Sequence, residues 1–352
     1  MNETGTETAA QPEVLVERRG HAAWLTLNRP HKLNALNQPM ALTIHRALFD
    51  AAADPEVAHI VVEGAGDRAF CAGGDVALLA QPNPDRTLWE GFFHDEYRMN
   101  QAIARLALPY VAIMDGLTMG GGVGLSIHGR FRVATERTLF AMPETGIGLI
   151  PDVGGTHALA RLPGELGTWA ALTGARLQAA DLLYAGIATH FVPVERLAVL
   201  TDLLASAEET AEQVLATLDA DPGEAGLAAL RDAIDFHFAH DSVEAIVASL
   251  DEGDDWALEQ AAIIRRMSPT SCKLTLRAVR QAAGASIEDA LRTEYRIVCE
   301  IRNGRDFFEG IRAQLIDKDR NPLWSPATLE AVSDEAIDRY FEEPESGDLT
   351  FE

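Results

Sequence analysis

Apolar positions along the chain recur at two spacings, every second residue and every third or fourth, and these predict its elements. Residues 14–18 and 22–27 alternate around a turn at Gly20, which predicts two strands. Asn37-Gln38-Pro39 reads as a helix start, with the proline in the first turn, leading into MALTIHRALFDAAAD. The short apolar run at 59–63 (HIVVE) has the look of a buried parallel strand, turned by Gly64-Ala65-Gly66-Asp67. After it, AFCAGGD at 69–75 and the apolar stretch 76–80 predict a strand, a loop with outward-turned amides, and a helix. Residues 81–96 read as a polar and aromatic loop, 97–106 as a helix, and 109–114 as a second buried strand turned by Asp115-Gly116. A helix at 120–128 and strands at 130–135 and 138–142 follow. Strand and helix alternating through short links is the α/β pattern, and it continues through 156–162, 166–173 and a helix at 179–185.

From about Glu195 the spacing is helical only, as at 197–218 and 225–240, with Gly304 and Pro322 punctuating the later helices. The expected organisation is a disordered leader at 1–13, an α/β core at 14–197 and a helical region at 198–352. The acidic stretch 342–352 is expected to be loosely held. No internal repeat at a fixed period is present.

Composition narrows the function classes. A hydrophobic share of 47% and a charged share of 24% are those of an ordinary globular protein. The net charge of −25 argues against a nucleic-acid surface and against electrostatic binding to acidic membranes, though a local cationic patch remains open to an anionic ligand. Three scattered cysteines, Cys71, Cys272 and Cys299, give neither a disulfide framework nor zinc spacing, so a reducing compartment is expected. The N-terminus lacks the apolar core of a signal peptide and the arginines of a presequence, and no apolar run reaches the roughly 18 residues of a membrane span; the expected location is cytoplasmic.

The candidate chemistry gathers in 114–155. Gly120-Gly121-Gly122 opens the apolar helix VGLSI, where unpaired amides and a partial positive charge face a ligand. Ala72-Gly73-Gly74 has the same character after its own strand. One amide from each loop, converging on a carbonyl oxygen, makes an oxyanion hole; tight turns packed for steric reasons are the plain alternative. Neither cluster fits a dinucleotide fingerprint. Glu144 and Asp152 stand in the Gly/Pro-rich loop that follows, where two near carboxylates push one pKa upward. Helix-start acid and loop cap are the plain alternatives for these two. His157, His128 and Cys71 read as structural residues.

AFCAGGD, MDGLTMGGGVGLS and FAMPETGIGLIPDVGG together resemble the crotonase (enoyl-CoA hydratase/isomerase) superfamily, and more closely its 3-hydroxyisobutyryl-CoA hydrolase branch. The likeness extends to LTGARLQAADLLYAGIATHFV at 172–192, SPTSCKLTLR at 268–277 and DFFEGIRAQLIDKDRNPLW at 306–324. It implies a spiral of β-β-α units with a helical C-terminal region that closes the site and supports a homo-oligomer, a trimer or hexamer. It implies an acyl-CoA substrate, with CoA part of the substrate and no cofactor or metal. By this likeness the oxyanion amides fall on Gly74 and Gly121, flanked by Gly73 and Gly120. One hydratase glutamate falls on Glu144 and the other on Gly124, which has no side chain. The hydrolase positions fall on Glu96, Gly121, Glu144 and Asp152. Lys32, in the first loop, and Lys318, in the closing block, are the candidates for the CoA phosphates. The activity so implied is hydrolysis of 3-hydroxyisobutyryl-CoA in valine catabolism, with Glu144 as nucleophile or as general base. A hydratase/isomerase using Glu144 alone and a non-catalytic acyl-CoA binder stand as alternatives.

Overall fold

The computed structural model describes residues 11–76, 79, 85–206 and 209–351. Most of the expected leader, and of the apolar stretch after Asp75, falls outside them.

β1 (Val14–Arg19) and β2 (Ala22–Leu27) pair antiparallel across Gly20. α1 (Gln38–Ala53) follows, its first turn capped by the Asn37 side chain on the Met40 amide at 3.0 Å. Then β3 (His59–Gly64) and β4 (Ala69–Cys71) lead to α2 (Arg86–Arg105); β5 (Tyr110–Met114) and β6 (Leu117–Met119) lead to α3 (Gly121–Ser126). β7 (Phe131–Ala134) and β8 (Leu139–Ala141) lead through a 3-10 turn, Glu144–Ile147, to α4 (Gly155–Leu159), α5 (Leu166–Thr173) and α6 (Ala179–Tyr184), and β9 (His190–Phe191) closes the series. From β3 onward the strands sort alternately into two sheets. One has the order β1-β2-β3-β5-β7-β9, the other β4-β6-β8, and every pairing except the first is parallel. The first passage, β1-β2-α1, gives both strands to the larger sheet, and each later one gives one strand to each sheet before its helix, which is the expected β-β-α spiral.

The larger sheet is buried on both faces at its inner strands β3 and β5, which explains why these two read as short apolar runs. Leu25, Ile60, Val62, Ala112 and Met114 face the main core. Trp24, Val61, Val111 and Val133 face a second cluster, completed by Leu200 and Leu204 of α7 (Leu197–Ala205) and Val214 and Leu215 of α8 (Ala211–Leu218). The remaining helices are α9 (Leu227–Phe238), α10 (Val243–Asp251), α11 (Asp255–Ile264), α12 (Pro269–Ala282), α13 (Ile287–Ile301), α14 (Asp306–Ile311), which runs into a π turn at Arg312–Ile316, and α15 (Asp334–Asp338). α2 packs between α1 and α13, and the Trp89 indole N–H donates to Val298 O at 2.9 Å.

Three expectations change. Much of the supposed loop at 81–96 is the first half of α2, which begins at Arg86 behind an Asp85 cap on the Thr87 amide; the aromatics Trp89, Phe92 and Phe93 are its buried stripe. The run 197–218 is two helices, the second opened by a capping box between Thr210 and Gln213. The C-terminal stretch is pinned: Asp348 pairs with Arg296 of α13, and Leu349 is buried.

Candidate active site

The three strands of the small sheet run parallel, so their C-terminal ends share one edge, where open parallel sheets bind ligands. β4 there releases Ala72-Gly73-Gly74, β6 releases Gly120-Gly121, and β8 releases Met142-Pro143-Glu144. Together with α2 they enclose a cavity of about 330 Å³.

Two amides point into this edge. Leu36 donates to Gly73 O at 2.8 Å and accepts from the Asp75 amide at 2.7 Å, so the Gly74 amide between them faces the opposite way. Gly121 is the first residue of α3, where no intrahelical acceptor exists. Among the described residues neither nitrogen has an acceptor. A Cβ built on Gly121 lies 3.4 Å from the Gly74 nitrogen. Since a Cβ sits about 2.5 Å from its own nitrogen, the two nitrogens lie within about 6 Å, a gap that one oxygen with two hydrogen bonds of about 2.9 Å spans. Gly120 holds φ at 48°, and a Cβ there meets Gly73 Cα at 3.3 Å and Glu144 Oε1 at 3.1 Å.

Three carboxylates line the same cavity: Glu96 from α2, Glu144 from the 3-10 turn, and Asp152 from the loop before α4. They are 2%, 5% and 4% exposed, so each is nearly stripped of water. Burial is the main force raising all three pKa values, and the charge of Asp152 adds to it at Glu96 and Glu144. Their surroundings then separate them. The Tyr97 hydroxyl donates to Asp152 Oδ2 at 2.7 Å and draws its pKa back to about 6. Glu144 Oε2 and Glu96 Oε1 have no partner among the described residues. Only its own backbone amide draws the Glu144 pKa down, Oε2 has no donor among the described residues, and the group stands beside the free amides. A carboxylate so placed suits attack on a carbonyl, or proton abstraction from water, next to an oxyanion hole.

Gly124, by contrast, has no room for a side chain. A Cβ there meets Asn100 Nδ2 at 2.6 Å and Val153 Cβ at 2.7 Å. Gly122 is also a packing glycine, with Cys71 O at 2.2 Å from its Cβ position. The plain steric reading therefore fits Gly122 and Gly124, while Gly121 borders the cavity.

Of the other sequence candidates, Gly73 and Gly120 line the cavity, and so does Lys32, whose ammonium sits 2.9 Å from Asp75 Oδ2. Arg29 holds the same oxygen at 2.9 Å. Lys318 is exposed on the turn after the π segment, and it is not brought to the cavity wall, which Leu315 reaches instead. His157 is not a cavity residue, and Cys71 is fully buried, its thiol pushed up to about 12 by desolvation. Tyr97 and Asn100 went unread in the sequence. Their signal was a polar intrusion, Glu96 and Asn100 at helical spacing, within the apolar face Phe93-Tyr97-Ile103. Glu294 was missed as well, though it occupies a place on the apolar stripe Ile287-Leu291-Val298.

The family model for enoyl-CoA hydratase/isomerase matches residues 22–341. The mitochondrial 3-hydroxyisobutyryl-CoA hydrolase of Rattus norvegicus is 48% identical over 357 residues, covering 98% of this chain and 92% of its own. The Homo sapiens protein of that name is 45% identical over 355 residues, with 98% and 92% covered. Among solved structures, a carnitinyl-CoA dehydratase from Mycobacterium thermoresistibile has a TM-score of 0.92 at 42% identity, covering 97% of this chain and 99% of its own. An enoyl-CoA hydratase from Rhodobacter sphaeroides 2.4.1 has a TM-score of 0.90 at 41% identity, covering 97% and 100%. Alike in sequence and in fold over nearly all its length, the chain belongs to the enoyl-CoA hydratase/isomerase family, on the branch that holds the 3-hydroxyisobutyryl-CoA hydrolases.

Proposed function

We propose that this protein hydrolyses a 3-hydroxyacyl-CoA thioester, 3-hydroxyisobutyryl-CoA, to the free hydroxy acid and CoA, as a step of valine catabolism. One observation carries the proposal: Glu144 and Asp152 face two unpartnered amides in one buried cavity, while the position of a second hydratase glutamate, Gly124, is filled by Asn100 and Val153. Water addition across a double bond, as in the resembled hydratases, uses both glutamates, whereas thioester cleavage needs an oxyanion hole and one activated nucleophile.

In this reading the thioester oxygen takes the Gly74 and Gly121 amides. Ionised Glu144 either attacks the carbonyl carbon, expelling the thiolate and leaving an anhydride that water opens, or takes a proton from the water that attacks. In both routes the C–S bond breaks, water supplies the new C–O bond, and the thiolate gains a proton. Asp152, protonated in part near neutrality, is the proposed source of that proton or a partner of the substrate hydroxyl; Glu96 is proposed to bind that hydroxyl. Removing one oxyanion donor typically costs about 2.7–4 kcal/mol of transition-state stabilisation. Lys32 is proposed to meet the CoA phosphates at the cavity mouth, and Lys318 to meet them beyond it. Assembly into a homo-oligomer belongs to the same proposal.

The names of the two solved relatives favour a second reading, hydration or dehydration of an enoyl-CoA. One assay separates the two. Purified protein receives 3-hydroxyisobutyryl-CoA and crotonyl-CoA, and free thiol and enoyl absorbance are followed together. Thiol release from the hydroxylated substrate alone supports hydrolysis; loss of enoyl absorbance without thiol overturns it.

A further inference from the structure

Asp152 stands in an improbable piece of backbone. The next residue, Val153, is β-branched and yet holds φ at 55°, and Gly154 follows at 77°. Two left-handed residues in a row, one of them valine, persist only where the surroundings impose them. Two contacts do so from outside the loop. His128, just after α3, bonds Val153 O through Nε2 at 2.8 Å; burial keeps its ring neutral, so Nε2 carries the proton it donates. Glu294, on α13 and 140 residues away, is fully buried and takes the Gly154 amide on Oε2 at 2.7 Å. Its Oε1 takes the Thr156 amide at 3.0 Å and the Thr156 hydroxyl. Tyr97 fixes the other end of the unit by donating to the Asp152 carboxylate.

We infer that Glu294 is a positioning residue for Asp152: from the C-terminal helical region it clamps the left-handed Val153-Gly154 pair and so sets where the Asp152 carboxyl stands in the cavity. Glu294 is not among the residues that line the cavity, and its hydrogen bonds go to Gly154 and Thr156 of the loop. This rests on the reading that Asp152 serves hydrolysis.

The test uses the full chain carrying Glu294→Gln, which keeps shape and one acceptor oxygen but presents an amide NH2 to a backbone N–H. Three quantities are measured: kcat and KM for thiol release from 3-hydroxyisobutyryl-CoA, the melting temperature, and the titration of Asp152 by carboxyl carbon NMR. The Asp152 signal is identified by its loss in Asp152→Asn. The groups around that carboxyl are Glu96 and Tyr97 of α2, Glu144 of the 3-10 turn, and His128 and Glu294 through the loop. Expected are a fall in kcat of about tenfold or more with KM nearly unchanged, and a shift of about half a pH unit in the Asp152 titration. Thr156→Val, which removes only the hydroxyl donor, moves both in the same direction, with a fall of about threefold in kcat; it decides the matter if Glu294→Gln does not fold. Wild-type kcat and wild-type Asp152 titration in a folded variant overturn the inference. If the unmodified protein releases no thiol, the functional reading fails by itself, and the Asp152 titration still decides the positioning role.

Discussion

At the scale of single residues, the three cavity acids differ because their partners differ. Glu144 is buried, lies near the charge of Asp152 and has no donor on Oε2, so it binds its proton more tightly than a solvated glutamate does. The activity proposed here needs it ionised. The acid limb of kcat/KM is therefore expected above the ordinary glutamate value of about 4.3. Because the charge of Asp152 raises Glu144, Asp152→Asn is expected to move that limb downward. A pH–rate profile of both proteins checks the sign, and an upward or absent movement contradicts it. Glu144→Gln is expected to lose roughly 10²–10⁴-fold in turnover while calorimetry finds CoA affinity nearly intact. Retained turnover in that variant removes Glu144 from the chemistry.

At the scale of elements, α2 and α3 divide the work. α2 delivers Glu96 and Tyr97 into the site and sends Asn100, one turn further on, into the space against Gly124. α3 presents a bare N-terminus because its glycines are hemmed in from three sides. Gly121→Ala places a methyl 2.7 Å from Glu96 Oε1. It is expected to cut turnover by about 10²-fold by displacing Glu96 and the substrate oxygen from their places at the oxyanion hole, with a small change in melting temperature because the crowded atom is a side-chain end. Gly124→Glu is the converse case. Its Cβ alone collides with Asn100 and Val153, so it is expected to cost about 1–3 kcal/mol in urea unfolding and to gain no crotonyl-CoA hydration. Hydration appearing in that variant would show that the position still reaches substrate.

Across the whole molecule, two sets of acids pull stability in opposite directions with pH. Glu96, Glu144, Asp152 (about 6) and Glu294 (about 8) have folded pKa values raised by burial. Their contribution is fully present below the unfolded values near about 4 and is lost as pH rises towards about 8. Glu288, bonded to Arg105 and drawn down to about 2, is the opposite kind: its contribution is present above the unfolded value and is lost as pH falls through that range. The net charge of −25 adds self-repulsion on the alkaline side. The melting temperature is therefore expected to be higher near pH 5.5 than near pH 8, and Asp152→Asn to flatten the slope between them. Scanning calorimetry across that range tests this; a melting temperature that rises steadily to pH 8 contradicts it.

How much of this was written in the amino-acid order depends on the range of the interactions involved. Local signals carried the strands at 59–63 and 109–114, the helix start at Asn37 and the two glycine clusters, because strand burial, capping and turn chemistry act within a few residues, whereas the acids Glu144 and Asp152 were raised above a helix-start acid and a loop cap by the family resemblance. Even the misread part of α2 had a local signal, the Asp85 cap ahead of its aromatic stripe. Folding alone decided which of these meet. The alternation of strands between two sheets put the ends of β4, β6 and β8 on one edge and so brought residues 74, 121 and 144 together. It also packed α13 against α2 and α4, which gave Asp152 its Tyr97 donor and gave its loop the Glu294 clamp. No spacing along the chain encodes those encounters, because proximity across 55 residues, as for Tyr97 and Asp152, or 140, as for Gly154 and Glu294, is a property of sheet order and helix packing, and so is the loss of water that sets the basicity of the carboxylates.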